Sequence, residues 1–202
     1  MFNSVSICNT SIGIVYFTQS DITGGLVKAT GEAIESLSVS CELYRVKGED
    51  IVDGRYINTK IFNNLNDCNA IIFASPTYMG GPSAQYKAFV DATSELWESQ
   101  RWSGKIAAGI TSGNSANGDQ SSTLHYFSVL ASQHGMIWVG LGDGNNSHNE
   151  INRFGSQFGV VAQGDHGHPH PVDLNTAKHL GKRVANMLLN DYHNYRYNLS
   201  YK

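Results

Sequence analysis

The stretch Ile12-Gly13-Ile14-Val15-Tyr16-Phe17-Thr18-Gln19-Ser20-Asp21-Ile22-Thr23-Gly24-Gly25 decides how the chain is read. An apolar run stops abruptly in a turn of hydroxyls and glycines, and Leu26, Val27, Thr30, Ala33, Ile34 and Leu37 then recur at helical spacing. A buried strand that empties into a small-residue loop and a helix N-terminus is how α/β proteins build a phosphate site. The N–H groups of the turn and the positive end of the helix dipole converge on one point.

The same arrangement repeats along the chain. Residues 12–17 are continuously apolar, as expected of a strand buried on both faces, and a helix is predicted from about 24 to 37. Residues 39–44 alternate loosely and suit a strand nearer the edge. Residues 45–66 read as a loop with a weak helical turn around Ile61, Phe62 and Leu65. A second buried strand over 70–74 runs into Ser75-Pro76-Thr77-Tyr78-Met79-Gly80-Gly81-Pro82, dense in turn formers. Tyr86, Phe89, Val90 and Thr93 then share a helical face, closed by Leu96 and Trp97. A third buried strand over 106–110 opens into Thr111-Ser112-Gly113-Asn114-Ser115-Ala116-Asn117-Gly118, followed by a helix carrying Leu124, Phe127, Leu130 and His134 and stopped at Gly135. A fourth is expected over 136–139. Residues 140–171 show no clear element, and a last helix is expected from about Asp173 to Leu188, with a polar, aromatic tail over 192–202.

Strands alternating with helices argue for a parallel sheet covered on both faces, whose ligands bind beyond the carboxyl ends of the strands. Three strand ends, at Thr18, Ser75 and Thr111, open into loops of Ser, Thr, Gly and Asn. One such loop could be a turn; three together make a site. The 202 residues suffice for one domain, with 1–11 an arm and 192–202 a tail at its periphery. With 41% hydrophobic residues, 15% charged and a net charge of −3, nothing argues for nucleic acid or an anionic membrane. No apolar run approaches the roughly 20 residues of a membrane span, and the first residues lack the pattern of a signal peptide. Cys8, Cys41 and Cys68 are widely spaced and odd in number, which reads as buried free thiols in a reducing cytoplasm.

The loop at 18–24 is neither G-x-x-x-x-G-K-[ST] nor G-x-G-x-x-G. It is a cradle of hydroxyls and amides without a basic residue of its own, suited to a cofactor phosphate held in place rather than a phosphoryl group in transfer. Taken together, the chain resembles the flavodoxin-like FMN proteins. Within them it is most similar to the tryptophan-repressor-binding-protein-like (WrbA-type) NAD(P)H:quinone oxidoreductases and the related NADPH-dependent FMN reductases. The similarity runs from about Ile12 to Leu189. It is carried by the 18–23 loop, Ser75 to Gly80, Phe89-Val90-Asp91 through Trp97, Gly104-Lys105, Thr111-Ser112-Gly113 with Gly118, His134-Gly135-Met136, and Gly164-Asp165 through Pro171.

The resemblance implies a three-layer α/β fold with a five-stranded parallel sheet in the order 2-1-3-4-5. It implies that Thr18, Gln19, Ser20, Ile22 and Thr23 wrap the FMN phosphate. Pro76, Thr77, Tyr78, Met79 and Gly80 would pass along the flavin ring. Thr111, Ser112, Gly113, Asn114 and Gly118 would lie against the ribityl chain and the ring's other side. His134 matches a catalytic histidine near flavin and substrate. Trp97, with Tyr78, matches an aromatic on the substrate side that in family tetramers walls a neighbouring subunit's pocket. NAD(P)H is the implied donor, a quinone-like molecule the acceptor, and a homo-oligomer the implied assembly.

Two departures stand out. Asp21 and Ile22 replace the family's usual Gly and frequent His, and a carboxylate near a phosphate is repulsive unless it turns outward. Asp21 is therefore expected to face solvent or cap the helix, and to weaken FMN retention. Tyr78-Met79 replaces a basic–aromatic pair, leaving NADPH over NADH unsupported. An electron-carrier flavodoxin and a flavin-free binding or regulatory protein are the alternative readings. The 113–117 segment misses G-x-S-x-G by its last residue, Thr18-Gln19 lacks the acidic pair of a receiver domain, and the alternating His166, His168 and His170 lack the spacing of a closed metal site.

Overall fold

The computed structural model describes residues 10–116, 118–142, 150–165 and 167–199. Cys8, Asn117 and His166 lie outside the described residues, as does most of the arm. Five strands, β1 (Ser11–Tyr16), β2 (Ser40–Arg45), β3 (Ala70–Tyr78), β4 (Ile106–Gly113) and β5 (Val160–Asp165), pair in parallel in the order β2-β1-β3-β4-β5. The longer helices are α1 (Ile22–Glu35), α2 (Lys60–Asp67), α3 (Ala84–Ala92), α4 (Gln120–Gln133) and α5 (Pro171–Leu199), with a single turn at Ser94–Trp97 after α3.

The apolar runs divide their residues between two cores. Ile12 and Ile14 of β1, with Ile72 of β3 and Ile110 of β4, pack with Leu26 and Ile34 of α1 and Leu180 and Val184 of α5. Val15, Ile71, Phe73 and Ala107 face the opposite way, onto Leu65, Tyr86, Phe89, Trp102, Leu124 and Phe127. This is why the central strands carry no hydrophilic alternation: successive side chains point to opposite faces and both faces are dry. Each large side chain buried this way is worth about 1.5–3 kcal/mol. Gly181 of α5 lets that helix approach α1 closely, since a Cβ there would stand 2.7 Å from the Thr30 carbonyl. Gly135 ends α4 at φ 66°, the left-handed geometry expected of a helix stop.

Several elements differ from the sequence reading. Segment 45–66 holds a small hairpin, Ile51–Val52 with Arg55–Tyr56, and the start of α2, whose Ile61, Phe62 and Leu65 are buried. The expected fourth buried strand shrinks to Ile137–Trp138, which pairs only with Ile106 and Ala107, and Ile137 is 56% exposed. The chain leaves the sheet at Gly140, where a Cβ would meet the Gln157 carbonyl at 2.3 Å. Val160–Asp165 takes the place beside the second half of β4, within the segment where no element was expected. One edge of β4 is shared by two pieces, one of two residues and one with only Val160, Val161 and Ala162 before Gln163 and Gly164, so neither shows as an apolar run. Helix α5 runs through the expected tail to Leu199.

Candidate functional site

The order β2-β1-β3 reverses the direction of chain progression at β1, so a crevice opens beyond the carboxyl ends of β1 and β3. A cleft of about 410 Å³ occupies that crevice, lined by Ser20, Ile22, Pro76, Thr77, Tyr78, Met79, Ser112, Gly113, Asn114, Ser115 and Gly118. All three loops singled out from the sequence meet there.

The first wall is the loop from β1 into α1. Thr18 is buried, and its hydroxyl accepts the N–H of Gly24 at 3.2 Å. Asp21 sits at the helix N-cap with φ 59° and ψ −3°, its carbonyl accepting the Gly25 N–H at 2.7 Å. Its carboxylate is exposed and makes no capping hydrogen bond. This left-handed position is one that glycine occupies without strain. Among the described residues, no acceptor pairs with the backbone N–H of Gln19, Ser20, Ile22 or Thr23. These donors stand at the positive end of a fourteen-residue helix. The Thr23 hydroxyl turns inward to share a 2.8 Å hydrogen bond with Ser112, tying the first turn of α1 to β4. Gln19 is exposed on the loop and does not line the cleft.

The second wall is the end of β3. Thr111 Oγ1 donates to the Ser75 carbonyl at 2.8 Å, so its one proton is spent. Thr77 Oγ1, 2.8 Å from both Thr111 Oγ1 and Thr123 Oγ1, therefore donates to the first and accepts from the second. The Thr77 side chain has no proton left for a ligand, although the residue lines the cleft. Beyond it β3 folds back antiparallel onto Gly81–Pro82. Met79 and Gly80, at φ 49° and 76°, form the two-residue turn, a type I′ geometry that suits Gly80 and strains Met79. Tyr78 is half exposed and Met79 fully exposed, an apolar overhang at the mouth.

The third wall follows β4. A Cβ on Gly113 would stand 2.6 Å from Gln120 Nε2. Buried Gln120 closes the loop, accepting the Gly118 N–H at 2.9 Å and donating to the Ser115 carbonyl at 2.7 Å. Gln163 of β5 donates to the Asn114 carbonyl at 3.1 Å. Its backbone N–H in turn reaches Asp173, which Arg153 grips with two bonds of 2.7 and 2.9 Å. Gln120, Gln163, Arg153 and Asp173 escaped the sequence reading. A buried glutamine or ion pair carries no signature until the elements that surround it are in place.

His134 and Trp97 are not brought to this cleft. Helix α4 begins beside the cleft and ends at His134, and fourteen residues at 1.5 Å each separate the two by about 20 Å. His134 is 2% exposed, Nε2 lies 2.9 Å from Thr93 Oγ1, and the ring packs 4.6 Å from that of Trp102. Among the described residues Nδ1 has no hydrogen-bond partner, and burial pushes the imidazole pKa below its ordinary value. With Trp97, 52% exposed, it lines a separate hollow of about 280 Å³. His170 Nδ1, just after the His168–Pro169 pair that folds back on the end of β5, accepts the Val172 N–H at 3.2 Å, so one of the alternating imidazoles caps α5.

Comparison with known proteins places this geometry. The model of a family described as NADPH-dependent FMN reductase matches residues 20–147. The chain is 32% identical over 181 residues to the flavodoxin FldP of Pseudomonas aeruginosa, covering 85% of this chain and 93% of that protein. It is 42% identical over 121 residues to an NAD(P)H dehydrogenase (quinone) of Archaeoglobus fulgidus, where the match spans 60% of each chain. The crystal structure of a flavodoxin, WrbA-like protein from Agrobacterium tumefaciens superposes with a TM-score of 0.71 at 34% identity, over 88% of this chain and 96% of that one.

Proposed function

The chain belongs to the NADPH-dependent FMN reductase family, and from that premise we propose that it is an FMN-dependent oxidoreductase passing hydride from NAD(P)H to a quinone-like acceptor. The observation that carries the reading is the set of unpaired N–H groups at Gln19 to Thr23, opening at a helix N-terminus onto a cleft at three strand ends. The residues fit FMN. The amides and the Ser20 hydroxyl suit its phosphate, and Pro76 to Met79 on one side and Ser112 to Ser115 on the other form a slot for a flat ring.

When bound, FMN supplies the redox chemistry, accepting a hydride and giving it up again. The chain's own part is to hold and orient. The N–H groups at the start of α1 would hold the phosphate, and backbone donors of the loop after β4 would be available to the polar edge of the ring. Thr77 serves through Thr111 and Thr123 by locking the β3 end in place. Tyr78 and Met79 shield one approach from water. No acid–base pair is required, and among the residues lining the cleft none is present.

Trp97 and His134 have a place in this scheme if a second copy of the chain presents their hollow to the cleft, as a homo-oligomer would. The exposure of Trp97 at the rim of that hollow supports the assembly. The free thiols Cys41 and Cys68 support a reducing, cytoplasmic setting.

The test is the absorbance spectrum of the purified protein titrated with FMN, followed by NADH and NADPH oxidation with a quinone. A bound-flavin band and quinone-dependent turnover are expected; no binding at high micromolar FMN overturns the reading. The 32% identity to a flavodoxin along nearly its whole length favours one second reading, an electron carrier. Flavin binding without NAD(P)H turnover would select it.

A further inference from the structure

We propose that Arg45 is a positioning residue for the phosphate end of the cleft: it turns the carbonyl edge of the 18–21 loop outward and sets a positive charge behind the amides that take the phosphate. The inference rests on the FMN reading above. The loop's own sequence contains no cation and one carboxylate, Asp21, so its charge balance is unfavourable to a dianion. The structure supplies the missing charge from another strand.

Strand β2 runs parallel to β1 with Arg45 in register with Tyr16, and the Val46 N–H donates to the Tyr16 carbonyl at 2.7 Å. Arg45 therefore leaves the sheet level with the start of the phosphate loop. Leu43, two residues earlier on the same face, is the neighbour of Gly31 in α1, so the Arg45 side chain rises on the α1 side. From there Nη2 donates to the Thr18 carbonyl at 3.1 Å. Thr18 is buried and its hydroxyl is held by Gly24, so the carbonyl has one fixed direction, toward β2. With that carbonyl held toward β2, the Gln19 N–H of the same trans peptide points the opposite way.

Among the described residues the guanidinium makes no other hydrogen bond. No carboxylate among them forms an ion pair with Arg45, and the nearby Glu49 is taken by Lys47 at 3.1 Å. Guanidinium and Asp21 carboxylate thus flank the same loop with opposite charge. One favours an anion in the amide cradle, the other opposes it. Arginine suits the role better than lysine, because its planar fork can hold the carbonyl with one N–H and keep the others for further donation. The consequence is selectivity for a phosphorylated flavin over riboflavin.

The test is flavin-fluorescence quenching of the full-length apoprotein with FMN and with riboflavin, at low and at moderate salt, for wild type, Arg45→Met and Arg45→Lys. Arg45→Met is expected to weaken FMN by roughly fivefold to tenfold while riboflavin stays within about twofold, and Arg45→Lys to recover part of the loss. The fall of wild-type FMN affinity with salt should flatten in Arg45→Met. FMN affinity unchanged in Arg45→Met, or FMN and riboflavin weakened equally in both variants, overturns the inference. Wild-type protein that binds neither flavin overturns the FMN reading and the inference with it.

Discussion

Replacing Asp21 by glycine separates two effects that the structure places on one residue. The backbone there is left-handed, φ 59°, which costs an ordinary L residue about 1–2 kcal/mol and aspartate somewhat less. Glycine removes that strain. It also gives the unfolded chain extra freedom, worth about 0.4–1 kcal/mol against folding. A negative charge is lost from the N-cap of α1, a further loss of about 0.3–1 kcal/mol. The terms nearly cancel, so the apoprotein should keep its stability to within about 1 kcal/mol. Flavin binding has no such cancellation. An exposed carboxylate beside a phosphate dianion is screened by solvent to repulsion of the order of 1 kcal/mol, so Asp21→Gly should tighten the FMN Kd about fivefold. Asp21→Asn, which tolerates the left-handed backbone, should show most of the same gain. Fluorescence-quenching titrations with FMN and riboflavin, paired with urea denaturation of each apoprotein, read both quantities. Unchanged or weaker FMN affinity in Asp21→Gly would refute the reasoning, as would a gain equal for riboflavin.

Gly109 faces α4, and a Cβ there would stand 2.7 Å from Trp138 Cη2 and 2.9 Å from Leu124 Cδ2. Gly109→Ala is expected to cost about 1–3 kcal/mol by overpacking, read from the urea midpoint at constant slope. Asp173 is 1% exposed and holds both Arg153 and the Gln163 N–H. Asp173→Asn should destabilise the fold by about 2–4 kcal/mol and loosen the Asn114 side of the cleft, so FMN binding should weaken as well; a variant of wild-type stability would be inconsistent with this ion pair as a clamp. His134 is buried with its pKa below the ordinary 6.5, so the unfolded chain takes up the proton first as pH falls. Its contribution is complete above about pH 6.5 and declines below it, with a slope of at most about 1.4 kcal/mol per pH unit. His134→Gln should flatten the stability–pH curve just below 6.5 in chemical denaturation; an identical slope in both proteins would exclude His134 as the source.

The legibility of the fold followed burial. The runs that became β1, β3 and β4 are buried on both faces, so each shows as an unbroken apolar stretch, and the loops after them stand out by contrast. Strand β5 has only Val160, Val161 and Ala162 before Gln163 and Gly164, and it shares its edge of β4 with Ile137–Trp138. Helix α2 has a single buried stripe of Ile61, Phe62 and Leu65, too little to separate from a loop. The site was legible to the same degree. Ser20, Ile22, Tyr78, Met79, Ser112, Gly113 and Gly118 lie in contiguous loops and do line the cleft. Gln120, Gln163, Asp173 and Arg45 reach the site from helices and strands elsewhere, so local pattern could not point to them.

What the sequence determined by itself was the parallel sheet and the end of it at which a ligand binds, because the alternation of apolar runs with small-residue loops is a local property. Tertiary structure decided which polar groups remain available there. The hydroxyl of Thr77 looks like a ligand in the sequence, yet in the fold its one proton is spent on Thr111, while that of Thr23 is shared with Ser112. The backbone N–H groups of Gln19, Ser20, Ile22 and Thr23, to which the strand–loop–helix pattern already pointed, are the ones without an acceptor among the described residues. His134 shows the same limit: the resemblance implied a place near the flavin, but the fourteen-residue helix that follows the 111–118 loop ends at His134, away from the cleft. Partnership of this kind depends on which elements come to lie side by side, and that is settled only when the two faces of the sheet are packed.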